Sequence, residues 1–421
     1  MWESKGTRGG DRVMRIALEP GADTRRKARQ ILSGLEAAGG SGASRNIRCV
    51  LISGGEDEFL RGHIEGELRE TWERELKSPR VPVILAVGGA CGGIGRELLD
   101  CADLAVAADG AVIEGFRDAA EAAEACAVNE TVEAGELDRL ADRYVNRLLE
   151  IPEELIAYGH KIYFAMEQLP DKLSRSRYGA TVIGEIMEIQ ARLNRKLREA
   201  TGEQDPYSGV QPDEEICYER AYDRDHAVLF EVRDDVAYIR LNAPRYRNMF
   251  DWRSSMELAG AYAVANSIPT LKAIVVTGTG KRFHLGGIRH DQEDAYEQER
   301  FADQLRIRNQ IMRQIKVPLI AAVNGECSGG GMSLVLKSQI AIAAESARFG
   351  YPEVKHNGFA CNSMVNTMGI IPKKAALKSF YFGDLFSARE ALKFGIVKQV
   401  VPDEELKRAV EAAVRRLPAR A

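Results

Sequence analysis

The chain has no uninterrupted apolar run near the roughly 20 residues that cross a bilayer, and its opening, MWESKGTRGGDR, holds no apolar segment of the signal-peptide kind. A cytoplasmic protein without a membrane partner is expected. Cysteine is sparse: seven thiols (Cys49, Cys91, Cys101, Cys126, Cys217, Cys327, Cys361), odd in number and never spaced C-x-x-C. That argues against a disulfide framework or a zinc site, so no metal is expected. There is no block of Lys or Arg either, and the formal net charge of −4 comes from signs mixed along the whole chain. A nucleic-acid partner is therefore not expected, whereas a local basic patch for a small anionic ligand stays open.

What is present is length and alternation. At 421 residues the chain exceeds the ~100 to 200 residues of one ordinary domain, which predicts two units that each bury a core. RVMRIALEP reads as a strand, TRRKARQILSGLEAA as a helix with Ile31, Leu32 and Leu35 on one face, and IRCVLISGG and PVILAVGGA as apolar strands covered on both sides. Later, VLFEVRDDVAYIRLNAP gives a strand pair, DWRSSMELAGAYAVANS a helix, LKAIVVTGTG a strand, YEQERFADQLRIRNQIMRQIK a long helix and PLIAAVNGE a strand. The same α/β order thus occurs twice, as in a tandem repeat of whole domains. Between the copies lie a strongly helical stretch and then TGEQDPYSGVQPDEE, which has the composition of a linker. The expected organisation is a first unit at 11–134, a helical segment at 135–203, a linker at 204–221 and a second unit at 222–421.

Each unit carries two glycine-containing loops: KRFHLGGIRHD and NGECSGGGMSLVL in the second, DEFLRGHIEG and GGACGGIGRELLD in the first. An acyl thioester reacts at its α- and β-carbons only when negative charge on its carbonyl oxygen is stabilised, and two backbone N–H groups aimed at that oxygen do this well. Glycines let the backbone come close, and glycines entering a helix add its positive N-terminal end. Five pieces in order, YIRLNAPRYRNMF, IVVTGTGKRFHLGGI, PLIAAVNGECSGGGMSLVL, ARFGYPEV and GDLFSAREALKFGIVKQVV, fall within Ala227–Pro402. There the chain resembles the crotonase, or enoyl-CoA hydratase/isomerase, superfamily.

The resemblance implies an α/β fold of two crotonase-like ββα spiral units in tandem, an acyl-CoA or acyl-carrier-protein thioester as substrate, no further cofactor, and a homo-oligomer. On the family pattern the oxyanion donors are the N–H groups of Leu285 and Gly330, with His284 and Ser333 expected to contact substrate. Hydratases of the family use two glutamates; the corresponding positions here hold Ser333 and Glu353. One carboxylate suffices to move a proton between two carbons, whereas hydration also needs water activated. The resemblance is therefore closer to double-bond isomerases, with Glu353 as acid and base. His356 is a partner acid, a contact to a substrate hydroxyl, or a structural histidine. Hydration or dehydration, decarboxylation, hydrolysis and cofactor-free oxygenation are the alternatives that one oxyanion hole serves.

The first unit departs from that pattern. Arg61 takes the first donor position and Ile94 the place of the central glycine, and no Pro-Glu motif follows, although Glu97 stands at the first glutamate position. A catalytically silent, structural copy is expected. The helices over 151–200 either cover the acyl site of the second unit or pack on their own half. GGACGGIG has a G-x-x-G-x-G-like run, but its register in the repeat explains it better than dinucleotide binding does. A reading from another class, a non-catalytic scaffold for a second crotonase, is disfavoured because the second unit keeps both loops and Glu353.

Overall fold

The computed structural model describes residues 13–39, 47–77, 81–201, 226–287 and 295–418. The expected linker, 204–221, lies outside the described residues. The chain divides into two compact units, Met1–Arg175 with Pro372–Phe382, and Ser176–Ile371 with Gly383–Ala421.

The first unit contains strands β1 (Val13–Ala17), β2 (Cys49–Ser53), β3 (Glu58–Leu60), β4 (Val83–Val87), β5 (Ala90–Cys91), β6 (Leu104–Ala108) and β7 (Glu130–Val132). Its main sheet is parallel, in the order β1-β2-β4-β6-β7, and β3 pairs with β5 apart from it. Every residue of β4 (VILAV) and β6 (LAVAA) is buried, as a parallel sheet covered on both faces requires. A buried polar cluster closes this unit. Asp103 accepts hydrogen bonds from the Val83 N–H at 2.8 Å, the Tyr381 hydroxyl at 2.9 Å and His160 Nδ1 at 3.0 Å. Burial works to raise its pKa, but the neighbouring His160, the Lys373 ammonium and the Val83 N–H together outweigh this and hold it below the usual carboxylate range. Tyr381 sits on the helix Lys373–Phe382, which comes late in sequence yet belongs to the first unit. The same helix inserts Lys374, whose ammonium donates to the carbonyls of Leu99 and Ala102 and whose pKa burial draws down to about 8.

The second unit contains β8 (Val228–Arg233), β9 (Val236–Leu241), β10 (Ala273–Gly278), β11 (Arg282–His284), β12 (Leu319–Val323), β13 (Glu326–Ser328), β14 (Ile340–Ala344), β15 (Arg348–Gly350), β16 (Leu385–Ser387) and β17 (Gln399–Val401). Its main sheet runs β17-β14-β12-β10-β9-β8, parallel except for the β8–β9 hairpin. Asp234 (φ 49°) and Asp235 (φ 60°) take the left-handed conformation that a tight two-residue hairpin turn needs. A second layer, β11-β13-β15-β16, carries the glycine loops. The neighbour order β9-β10-β12-β14-β17 matches β1-β2-β4-β6-β7, and both β3–β5 and β11–β13 are parallel pairs interrupted by a register shift.

From Ser176 onward the helix Lys172–Thr201 belongs to the second unit. Gly179, Val182, Ile186, Met187, Gln190 and Asn194 are buried there among the described residues, and Val182, Ile186, Gln190 and Asn194 are spaced to share one face.

Candidate active site

The first loop leaves β11 at His284 and turns through Gly286, whose φ of 103° favours glycine. The Gly286 carbonyl accepts the Phe250 N–H at 2.9 Å, so its lone pair is engaged there. The second loop leaves β13 and turns at Gly329 (φ 52°, ψ −114°) into the short helix Gly330–Val335. The loops touch. A Cβ on Gly330 would lie 3.2 Å from the Gly286 Cα and 3.4 Å from His284 Nε2, and one on Gly331 would fall 2.1 Å from the His284 carbonyl oxygen. Side chains are excluded there by contact, not by turn geometry alone. Among the described residues, neither the Leu285 N–H nor the Gly330 N–H finds an acceptor within the protein.

Glu353 stands on the 3-10 helix Pro352–His356. A Cβ on Gly329 would meet Glu353 Oε1 at 2.7 Å and the Leu285 carbonyl at 3.5 Å, so the carboxylate leans against the junction of the two loops. Asn357 (φ 53°) ends that short helix in the left-handed conformation, and the Gly358 N–H donates to the Glu353 carbonyl at 2.8 Å. Leu285, Gly330 and Glu353 therefore converge.

The other expected site residues are placed differently. His284 is buried beneath the loops, with Nδ1 donating to the Asn248 carbonyl. Burial pulls its pKa down to about 4, so the ring is neutral near pH 7 and its Nε2 lone pair faces Gly330. Ser333 is also buried. Ser363 donates to the Gly329 carbonyl at 3.1 Å, so the 3.1 Å contact between the two serine hydroxyls is made by the Ser333 proton. That hydroxyl chain braces the second loop. His356 keeps an exposed ring, although the protein around it and the Lys355 ammonium both lower its pKa. Among the described residues, no group of three or more His, Cys, Asp or Glu is gathered as a metal site would need.

Sequence reasoning misses Asn248, which is fully buried with φ 55°. Its amide donates to the carbonyls of Thr279 at 2.9 Å and Arg282 at 2.8 Å and accepts the Ala243 N–H at 2.9 Å, fixing the strand that feeds the first loop. The asparagine in YRNMF is the available signal, since it tolerates left-handed backbone. Gln190 and Asn194 are missed as well; nothing local marks them.

The first unit reaches a similar backbone with different chemistry. Gly62 (φ 90°) and Gly93 (φ 57°, ψ −125°) occupy the turns, but the Ile94 N–H donates to the Gly62 carbonyl at 3.0 Å. The donor that would face a ligand is consumed. Glu97 is held by Arg69 Nη1 at 2.8 and 2.9 Å.

Parallel ββα layers with two abutting glycine loops, two unspent amides and a carboxylate define a crotonase-type unit. Residues 231–420 match the model of the enoyl-CoA hydratase/isomerase family. The chain is 33% identical over 182 residues to the (E)-benzylidenesuccinyl-CoA hydratase of Thauera aromatica, a match covering 42% of this chain and 71% of that protein. It is 31% identical over 195 residues to the mevalonyl-coenzyme A hydratase SIDH of Beauveria bassiana, covering 42% of this chain and 70% of the relative. Among solved structures, that of human enoyl coenzyme A hydratase domain-containing protein 3 aligns over 45% of this chain and 77% of its own, at 26% identity and a TM-score of 0.42. On the sequence matches, this chain belongs to the enoyl-CoA hydratase/isomerase family. The assignment covers its C-terminal half, and the chain spans 59 to 71% of the length of such curated relatives. No described helix is long and apolar enough to cross a membrane.

Proposed function

We propose that the second unit is an acyl-CoA enzyme in which the Leu285 and Gly330 amides hold the thioester oxygen of an enolate while Glu353 moves the proton. The single observation that carries this is the convergence of two unspent N–H groups with the Glu353 carboxylate, Oε1 lying 2.7 Å from where a Gly329 Cβ would stand. Preorganised donors stabilise charge as it develops without reorganising, and a positioned carboxylate supplies the proton transfer. His284 and Ser333, being buried, act by bracing the loops rather than by exchanging protons with substrate.

Double-bond isomerisation is the reaction that one carboxylate serves best: Glu353 takes a proton from one carbon and returns it to another. Hydration is the second reading, favoured by relatives that are themselves named hydratases. Incubating the full chain with a panel of enoyl-CoAs in deuterated water separates them by chromatography, which resolves positional isomers, coupled to mass spectrometry. Isomerisation leaves an isomer carrying at most exchanged deuterium, hydration adds one water, and an unchanged panel contradicts the proposal.

We further infer that the first unit is a degenerate, silent copy of the second. The shared strand order, the shared register shift and the paired glycine turns support common descent, and the bond from the Ile94 N–H to the Gly62 carbonyl supports the loss of function.

A further inference from the structure

The loop bearing Glu353 is gripped by the long helix that precedes the matched family segment. Gln190 Nε2 donates to the His356 carbonyl at 3.3 Å, and Asn194 Oδ1 accepts from Asn357 Nδ2 at 3.1 Å. A Cβ on Gly358 would come within 3.1 Å of Gln190 Nε2, so the helix presses directly on the turn. These contacts fall on His356, Asn357 and Gly358, the residues that end the short helix carrying Glu353. Gln190 is 2% exposed and Asn194 7%, on a face shared with the buried Val182, Ile186 and Met187. An amide in such a stripe costs stability unless bonded, and helix propensity gives asparagine no advantage there. Their place on that face fits a demand made by the loop.

We propose that Gln190 and Asn194 are positioning residues for the Glu353 carboxylate, supplied to the site from outside the segment, 231–420, that the family model covers. Gln190 acts as donor to the His356 carbonyl and Asn194 as acceptor for the Asn357 side-chain amide, so one bond holds the backbone before the left-handed Asn357 and the other holds its side chain. The inference rests on the reading of Glu353 as the proton-transfer group. It adds that the site is incomplete without residues 176–201.

The bonding pattern makes the test specific. Gln190→Glu keeps shape but loses the donor once ionised, whereas Asn194→Asp keeps the acceptor that Asn357 needs. In the full chain, Gln190→Glu and Asn194→Leu should speed hydrogen exchange in peptides spanning 352–358, while Asn194→Asp stays near wild type. With crotonyl-CoA and trans-3-hexenoyl-CoA as probes, the same two variants should lower kcat about ten- to a hundredfold, the scale of a small misplacement, with KM little changed. Wild-type exchange and kcat in Gln190→Glu, or a loss in Asn194→Asp equal to that in Asn194→Leu, would overturn the proposal. The exchange arm needs no substrate. Glu353→Gln, run alongside, separates the two levels: full activity there removes Glu353 itself, whereas an inactive Glu353→Gln beside an unaffected Gln190→Glu removes only the positioning role.

Discussion

The two glycine turns of the molecule have nearly the same backbone and opposite chemical prospects. Gly329 (φ 52°, ψ −114°) and Gly93 (φ 57°, ψ −125°) enter their helices alike, and Gly286 and Gly62 share a left-handed φ of 103° and 90°. What differs is where one carbonyl points. In the second unit the Gly286 carbonyl accepts the Phe250 N–H at 2.9 Å, leaving the Gly330 N–H unspent; in the first, the Gly62 carbonyl caps the Ile94 N–H at 3.0 Å. The carboxylates diverge too. Glu97 is paired with Arg69 at 2.8 Å, whereas Glu353 leans on the loops. An oxyanion hole is therefore a matter of hydrogen-bond disposal, and a glycine-rich turn by itself does not make one.

Writing the first unit's residue into the second should erase the difference. Gly330→Ile places a side chain against the Gly286 Cα and His284, within 3.2 and 3.4 Å of its Cβ, and should lower kcat by about 10² to 10³, the usual cost of losing one oxyanion donor. Steady-state kinetics checks this, with circular dichroism to exclude unfolding.

The buried ring of His284 sharpens the contrast through pH. Its folded pKa of about 4 lies below the ordinary 6.5, so the unfolded chain binds the proton first and stability drains as pH falls through that window. The loss should reach about 2 kcal/mol between about pH 6.5 and 5, at about 1.4 kcal/mol per unit. Denaturant titrations of wild type and His284→Gln check it, the variant having the flatter pH dependence.

A smaller effect is expected in the first unit. Tyr381→Phe removes the 2.9 Å donor to the buried Asp103 and should cost about 1.5 kcal/mol, read from the denaturation midpoint, with turnover unaffected.

Much of this contrast is legible in the sequence, because strand alternation and glycine spacing are local properties. PVILAVGGA and PLIAAVNGE announce β4 and β12, and the Pro-Glu pair marks the position of Glu353. The direction of the Gly62 carbonyl is not legible, since it depends on whether a distant N–H such as that of Phe250 competes for it. Nor is the fate of the helix Lys373–Phe382: nothing in KKAALKSFYF marks it for the first unit, and only tertiary packing assigns Lys374 and Tyr381 to the Asp103 region. Gln190 and Asn194 stay hidden for the same reason, because an amide on a helix face declares no partner.

The central claim is that chemistry resides in the second unit and has left the first. Single-turnover rates of Glu353→Gln and Glu97→Gln, measured in the full chain on whichever enoyl-CoA the wild type converts, test it directly. The account predicts a fall of about 10² to 10⁴ for Glu353→Gln and wild-type rates for Glu97→Gln. A large loss in Glu97→Gln at unchanged stability, with Glu353→Gln still active, would place the active half at the other end of the chain and contradict it.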